Sequence, residues 1–372
     1  MSERRSIRTP LAALALFVAA STVHAQSDAL NFSGDFRVRL ERTTNQAPNP
    51  NRPGVRDPRT REVVRFRFGM NRKINGLFNF GARLATGSPD DPNTTDITLG
   101  DFVNDLTISL DRVYMEMNYK NLFLTGGKFA NPFLTTELVW DGDVNIQGVG
   151  ASYTLGGSSK VTPKITGVHY VVDEQSNLAD TYMVGGQVQL GIRPSPNLNF
   201  TLAGALYNYT LRDSSNVKAD DIAGNNSIRN GRSYLSDFDL FDAVAVVEYR
   251  GLGARYPLRF VADYVKNRGA KVDDDAGFGV DFYLGQASKK HDLRFQYGYA
   301  QLETDGALAA FSHDNTTLAT NYQQHTVAVD YVAVDNTTLT LTWYLYRRNK
   351  VVPAGAENDF FSRLRLNALV KF

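Results

Sequence analysis

The sequence predicts an all-β protein, a transmembrane antiparallel up-and-down β-barrel of sixteen strands with short periplasmic turns and long external loops. Three observations predict it. Apolar and polar residues alternate with a period of two in segment after segment. Short and long connections take turns along the chain. A leader of export type precedes a stretch in which no apolar run reaches the roughly 18 residues that a membrane-spanning helix needs.

The leader comes first. Arg4, Arg5 and Arg8 form a basic start, Leu11 to Ala20 (LAALALFVAA) an apolar stretch of signal length, and Val23-His24-Ala25 a cleavage site. Residues 1–25 are therefore expected to be a signal peptide and 26–372 the barrel domain, with Gln26 as the first mature residue. Arg4-Arg5 leaves twin-arginine export open, although an ordinary basic start is the simpler reading.

The first mature segment sets the pattern. Leu30, Phe32, Phe36, Val38 and Leu40 alternate with Asn31, Asp35, Arg37, Arg39 and Glu41. Successive side chains on a strand face opposite ways, so one face is apolar and the other charged. The same alternation recurs in Val64-Phe66-Phe68-Met70, Phe78-Phe80-Ala82-Leu84 and Val113-Met115-Met117-Tyr119. It continues through the chain to Leu339-Leu341-Trp343-Leu345 and Leu364-Leu366-Ala368-Val370-Phe372. Two segments, near 122–129 and 161–172, are strand-like with no clear facing. Turns fall near 74–76, 119–121, 156–159, 193–197, 250–256, 286–290 and 334–337, several with the Asn-Gly or Gly-Gly that tight hairpins favour. Longer polar loops fall at 42–60, 87–105, 130–145, 173–180, 210–238, 267–276, 302–323 and 348–360. That asymmetry is typical of outer-membrane barrels.

Closure follows from physics. Backbone polar groups in lipid must all be paired, so the sheet can have no edge. The apolar face meets lipid and the charged face encloses water, for which sixteen strands leave room. Charge composition is balanced, with 40 Lys+Arg against 39 Asp+Glu. Without Glu3, Arg4, Arg5 and Arg8 the mature chain has 37 and 38, which argues against a nucleic-acid binder. The absence of cysteine removes disulfides and thiolate chemistry, and five histidines offer little for a metal site. No cofactor or metal is expected.

The inward face is uneven. Arg37, Arg39, Arg65, Arg67 and Arg83 come from the first three strands, and Arg363 and Arg365 from the last, which must pair with the first. They are expected to form one basic wall. The third external loop carries Glu137, Asp141 and Asp143. If that loop folds inward, these acids face the arginines across a constriction, and close-range charge sets ion selectivity. The alternative is that inward acids such as Asp35 and Glu116 neutralise the arginines, which then only brace the wall. Further inward acids at Asp242, Glu248, Asp263, Asp281, Asp292 and Asp330 leave the sign of selectivity balanced, with a lean towards anions. The last strand, with Leu366, Ala368, Val370 and Phe372, reads as the signal that barrel-assembly machinery recognises, or simply as a final amphipathic strand.

Several stretches resemble the putative-porin family of Gram-negative outer membranes, relatives of the phosphate-selective porins. They are Leu110-Asp111-Arg112-Val113-Tyr114, Gly127-Lys128 with Asn131-Pro132-Phe133, and Val139-Trp140-Asp141. Asn226 to Asp242, Asn321 to His325 and the terminal Phe372 add to these. The resemblance implies a passive channel for small hydrophilic solutes in the outer membrane, surrounded by lipid and with a homotrimer as one assembly; it does not fix the solute. Two other classes remain. A non-transporting adhesin or structural barrel would have a small, plugged lumen. A barrel enzyme would need a nucleophile with a base in reach. Ser312-His313 are adjacent but lie in a polar loop with no orienting group, and no G-x-S-x-G occurs. Asp273-Asp274-Asp275 lacks the spacing of a calcium loop and reads as a solvated tip.

Overall fold

Alternating segments of 9 to 15 residues pair in sequence order and close on themselves. The computed structural model describes residues 30–45, 58–100, 105–156, 160–177, 179–211, 226–229, 233–350 and 358–372. The expected signal peptide lies outside the described residues. Sixteen strands build the wall: β1 Asn31–Thr44, β2 Arg59–Lys73, β3 Phe78–Thr86, β4 Ile108–Tyr119, β5 Leu122–Ala130 and β6 Asn145–Thr154. They continue with β7 Val161–Asp173, β8 Thr181–Ser195, β9 Leu198–Thr210, β10 Asp239–Tyr249 and β11 Leu258–Asn267. The last five are β12 Ala276–Gly285, β13 Leu293–Leu302, β14 Tyr322–Val334, β15 Thr337–Arg348 and β16 Phe361–Lys371. Every neighbour pair is antiparallel, and β16 returns to β1 with Asp35 opposite Lys371 and Thr44 opposite Ser362. The closed barrel predicted from the alternation is the observed fold. Among the described residues no helix is long and apolar enough to cross a membrane, and the crossing is by strands.

The seam is finished by the terminal residue. Gly34 and Phe372 exchange two backbone hydrogen bonds, of 2.8 and 3.1 Å, and the Phe372 ring stacks on Phe66. A Cβ on Gly34 would meet that ring at 2.6 Å, so a glycine is what lets the C-terminus seat.

Phe36, Val38, Leu40, Met115, Phe260, Leu341 and Trp343 project outward and are exposed, as the lipid-facing set should be. On β6 to β8, Ala151, Gly167 and Gly186 stand side by side on that outer surface and leave a strip without bulky side chains. The inner face departs from the uniformly charged surface expected. On β7 to β9 the inward residues include Val168, Tyr170, Met183, Ala205, Tyr207 and Tyr209, all buried. This explains why the facing of 161–172 was ambiguous. Both faces of β7 carry apolar groups, and a strand covered on both sides loses its alternation.

What covers the inner face is loop. The connections after β3, β5 and β13 (L2, described over 87–100; L3, 131–144; L7, 303–321) fold back on the barrel: L3 and L7 turn into the lumen, and L2 brings Asp96 to the inner wall before Ile97–Thr98 pair with β2. One contiguous core joins L3 (Phe133, Leu138, Val139, Trp140), L7 (Leu308, Phe311, Leu318) and the inward aromatics of β7 to β9. Trp140 stacks on Phe311 at 5.5 Å and meets Tyr207 edge-on at 5.7 Å. The cork thus packs against the β6–β9 side, and cavities remain between the loops and the rest of the wall.

Candidate functional site: a charged constriction beside the cork

L3 is held by backbone capture. Gln187, inward on β8, accepts from the Leu134 N–H and donates to the Leu134 carbonyl, both at 2.8 Å. The Thr136 hydroxyl donates to Asp263 on β11, and the Asp141 N–H donates to the Phe311 carbonyl at 2.7 Å. L7 is fixed in turn by Asn226, whose amide donates to the carbonyls of Thr304 and Ala307 and accepts from the Ala309 N–H. Asp305 accepts from the Ser227 N–H and the Ser236 hydroxyl. The family-like stretch beginning at Asn226 is therefore a clasp for L7. The stretch through Gly127, Phe133 and Trp140 is the end of β5 and L3 itself.

With L3 seated, the acids on it meet the wall. A cavity of about 270 Å³ is bounded on one side by Arg37, Arg39, Arg65 and Arg67 and on the other by Glu137, Asp141, Asp143 and Asp314. Arg67 reaches across to Asp143 at 3.0 Å. Arg363 and Arg365 extend the wall from β16, and each donates to Asn315 of L7, at 2.8 and 2.7 Å. Arg83 is separate. It pairs with Asp111, the extra residue of a β-bulge between β3 and β4, and does not border this cavity. Six of the seven arginines expected as one wall are therefore contiguous.

Acids run through the wall itself. Asp35 takes Arg65 at 2.9 Å and Arg67 at 2.7 Å, and Asp96 from L2 takes Arg37 and Arg39. Glu41, only 2% exposed, takes Arg365 at 2.6 Å and Arg61 at 2.7 Å, with Arg363 at 3.6 Å. Glu116 has no ion pair among the described residues and lies in a separate vestibule of about 420 Å³ behind L3. Asp96, Arg61 and Asp314 were not singled out from the sequence. Asp96 and Asp314 sit in loops whose inward folding no periodicity announces.

Two L3 carboxyls are shifted. Enclosure in the barrel, then the neighbouring Asp314, raises Glu137 to about 7, although its side chain still meets the lumen. Burial, then Glu137 and Asp314, raises Asp141 further. Seven guanidiniums (Arg37, Arg39, Arg61, Arg65, Arg67, Arg363, Arg365) thus stand with seven acids (Asp35, Glu41, Asp96, Glu137, Asp141, Asp143, Asp314), of which Asp141 holds its proton at neutral pH.

Ser312 and His313 are not in a solvated loop. Both are buried in L7, and the Ser312 hydroxyl has two carbonyl acceptors in reach, Leu138 at 3.3 Å and Ala319 at 3.0 Å. The pair makes no hydrogen bond with each other. Among the described residues no cluster of His, Asp and Glu is arranged to hold a metal ion.

A closed sixteen-stranded barrel, apolar outside and charged inside, with a loop folded to its waist, defines the outer-membrane channel class. The family described as putative porin matches residues 18–221, more than half of the 372, and the chain belongs to that family. Solved channels share the fold at low identity. OprB of Pseudomonas putida aligns at 12% identity and a TM-score of 0.60, over 93% of this chain and 94% of that one. OmpF of Salmonella typhi, solved with daunomycin, gives 13% and 0.54 over 92% and 97%. The outer-membrane channel DcaP of Acinetobacter baumannii gives 12% and 0.52 over 92% and 97%. No curated protein matches the sequence.

Proposed function

We propose that this protein is a passive diffusion channel for small hydrophilic solutes, and that solutes pass the waist between the arginine wall of β1, β2 and β16 and the L3 carboxyls. The observation that carries it is the open cavity between opposed charges, Arg37, Arg39, Arg65 and Arg67 against Glu137, Asp141, Asp143 and Asp314. A transverse field there orients dipolar solutes and leaves water free to pass. With Asp141 protonated and Glu137 only partly ionised near neutral pH, fewer negative charges than the seven guanidiniums remain, which favours anions weakly; the resemblance to phosphate-selective porins points the same way. Single-channel recording of the refolded mature protein in a planar bilayer tests this. Steady open steps with an anion-leaning reversal potential in a salt gradient are expected, and a folded barrel without conductance refutes it.

In this reading Leu366, Ala368, Val370 and Phe372 also serve as the assembly signal. Leu366, Val370 and Phe372 face outward on the strand that closes the barrel, where another protein can reach them. The outer strip at Ala151, Gly167 and Gly186 gives a second copy of the chain room to approach, as a homotrimer requires; cross-linking in membranes checks that. The cork favours one other reading, a non-transporting barrel whose lumen is filled for rigidity. Absence of conductance would select it.

A further inference from the structure

A second set of charged side chains faces open space on the wall away from the constriction. On the side of L3 that faces β10 to β15 the lumen widens into a cavity of about 520 Å³, within the range of roughly 300–1,000 Å³ typical of small-molecule sites. Arg259 stands at the start of β11 and Arg294 at the start of β13, next to the short turns, whereas L3 enters from the opposite rim. Both guanidiniums lie over the Tyr283 ring, 5.3 and 5.7 Å from its centre. Their side chains are 41% and 42% exposed, so a solute in the cavity reaches them. Arg259 makes no hydrogen bond among the described residues, and its acid neighbour Glu248 stands 3.8 Å away and also meets Arg250. Arg294 gives its Nε to Asp330 at 2.7 Å, and its two terminal nitrogens have no partner among the described residues. The Tyr283 hydroxyl accepts from Gln296 at 3.2 Å, which leaves its own proton to donate.

Acids stand nearer to L3. Asp281 is the next inward residue after Tyr283 on β12, and Arg259 is registered opposite Tyr283, so the two charges are one strand repeat apart, about 7 Å. Asp281 accepts from the Gln296 amide at 3.1 Å and lies against Gly298, where a Cβ would collide with its Oδ1. Among the described residues no ion pair joins Asp281 to Arg259 or Arg294, although all three border the cavity. Glu137 adds an exposed carboxyl from L3. The other two acids are engaged elsewhere. Asp330 holds Arg294 and the Thr340 hydroxyl, while Asp263 takes the Thr136 hydroxyl and keeps its Oδ1 enclosed beside Asp242. The accessible charges are therefore sorted along the chamber, with donors for an anion at the short-turn end and carboxyls towards L3. A plain anion seated on the arginines meets Asp281 one level away, and a plain cation at Asp281 meets the arginines. A solute with a carboxylate and an ammonium a few bonds apart answers both. The guanidinium forks and the Tyr283 hydroxyl suit the carboxylate, and Asp281 accepts from the ammonium.

We propose that this chamber is a binding station for zwitterionic solutes of amino-acid size, whose carboxylate is held by Arg259, Tyr283 and Arg294 and whose ammonium is held by Asp281. The proposal rests on the channel reading and goes beyond it, because the waist between L3 and the wall of β1, β2 and β16 uses none of these four residues.

The test is single-channel recording with leucine added, against N-acetylleucine, which lacks the ammonium, and leucinamide, which lacks the carboxylate. Leucine is expected to reduce the current saturably and to add binding noise, and each capped compound to need a concentration about tenfold higher for the same block. Arg259→Gln and Asp281→Asn change lumen-facing groups and leave the strand ladder intact. Each should raise the half-saturating leucine concentration about tenfold. A linear, equal response to all three probes overturns the station and leaves the channel standing. Block by either capped compound as tight as by leucine makes the site one for a single charge and overturns the zwitterion reading. Saturable leucine block that both substitutions leave untouched puts binding elsewhere and overturns it too. Absence of any open channel removes the channel reading, and the station with it.

Discussion

Replacing Trp140 by alanine should open the channel without unfolding the barrel. The indole is 2% exposed and lies between Phe311, Tyr207, Tyr170 and Tyr209, with ring centroids 5.5–6.4 Å away. An aromatic ring of this kind buries about 150–250 Å². At about 25 cal/mol per Å² that is about 4–6 kcal/mol, and buried Trp→Ala changes cost about 3–5 kcal/mol. A loss of about 4 kcal/mol shifts an equilibrium about a thousandfold. It falls on the docking of L3 against L7, because Trp140 belongs to no strand and its loss leaves the ladder intact. Conductance and current noise of W140A should therefore rise, and residues 131–144 and 303–321 should become protease-sensitive in intact proteoliposomes. W140F, which keeps most of the ring area, should lie near the unaltered protein. If W140A conducts and resists protease as the unaltered protein does, the cork is not held by this packing.

Other expectations concern charge and closure. Selectivity should shift towards anions as pH falls from 8 to 5, because Glu137, raised to about 7, takes up a proton in that window and removes a negative charge. Glu137→Gln should flatten the shift in reversal potential. Arg365→Ala takes from buried Glu41 its shortest partner but leaves Arg61, so a loss near the low end of the roughly 3–5 kcal/mol for breaking a buried pair is expected, read as a lower unfolding midpoint. Gly34→Val places a side chain against the Phe372 ring and the Arg67 carbonyl, and should reduce the yield of closed barrel on a heat-modifiability gel. An unchanged yield would mean that the C-terminal residue is dispensable for closure.

The barrel was legible because its signal is repeated. Phe36, Val38 and Leu40 against Arg37, Arg39 and Glu41 form one readable strand, and each further strand repeats the rule. The wall arginines were legible for the same reason, since strand parity fixes their facing and closure puts β16 beside β1. The cork was not. Phe133, Trp140, Leu308 and Phe311 sit in connections rich in polar residues, and no period marks a loop that folds back inside. Gln187 and Asn226, which hold L3 and L7, look like ordinary polar residues, because their role lies in capturing backbone groups far away in sequence. Arg83 shows the limit of parity. Its facing was right, but the bulge at Asp111 gives it a local partner and takes it out of the wall.

Circumference and bore are governed separately in this molecule. The ladder from β1 to β16 fixes how much lipid is displaced and how the chain is anchored, and it tolerates little change because each strand supports two neighbours. The passage is trimmed by L3 and L7, which contribute no rung to that ladder. Substitutions at the cork can therefore alter what the channel admits while the part that must be inserted and closed stays the same. A family built on this plan can diversify its cargo through about thirty loop residues, at little risk to assembly.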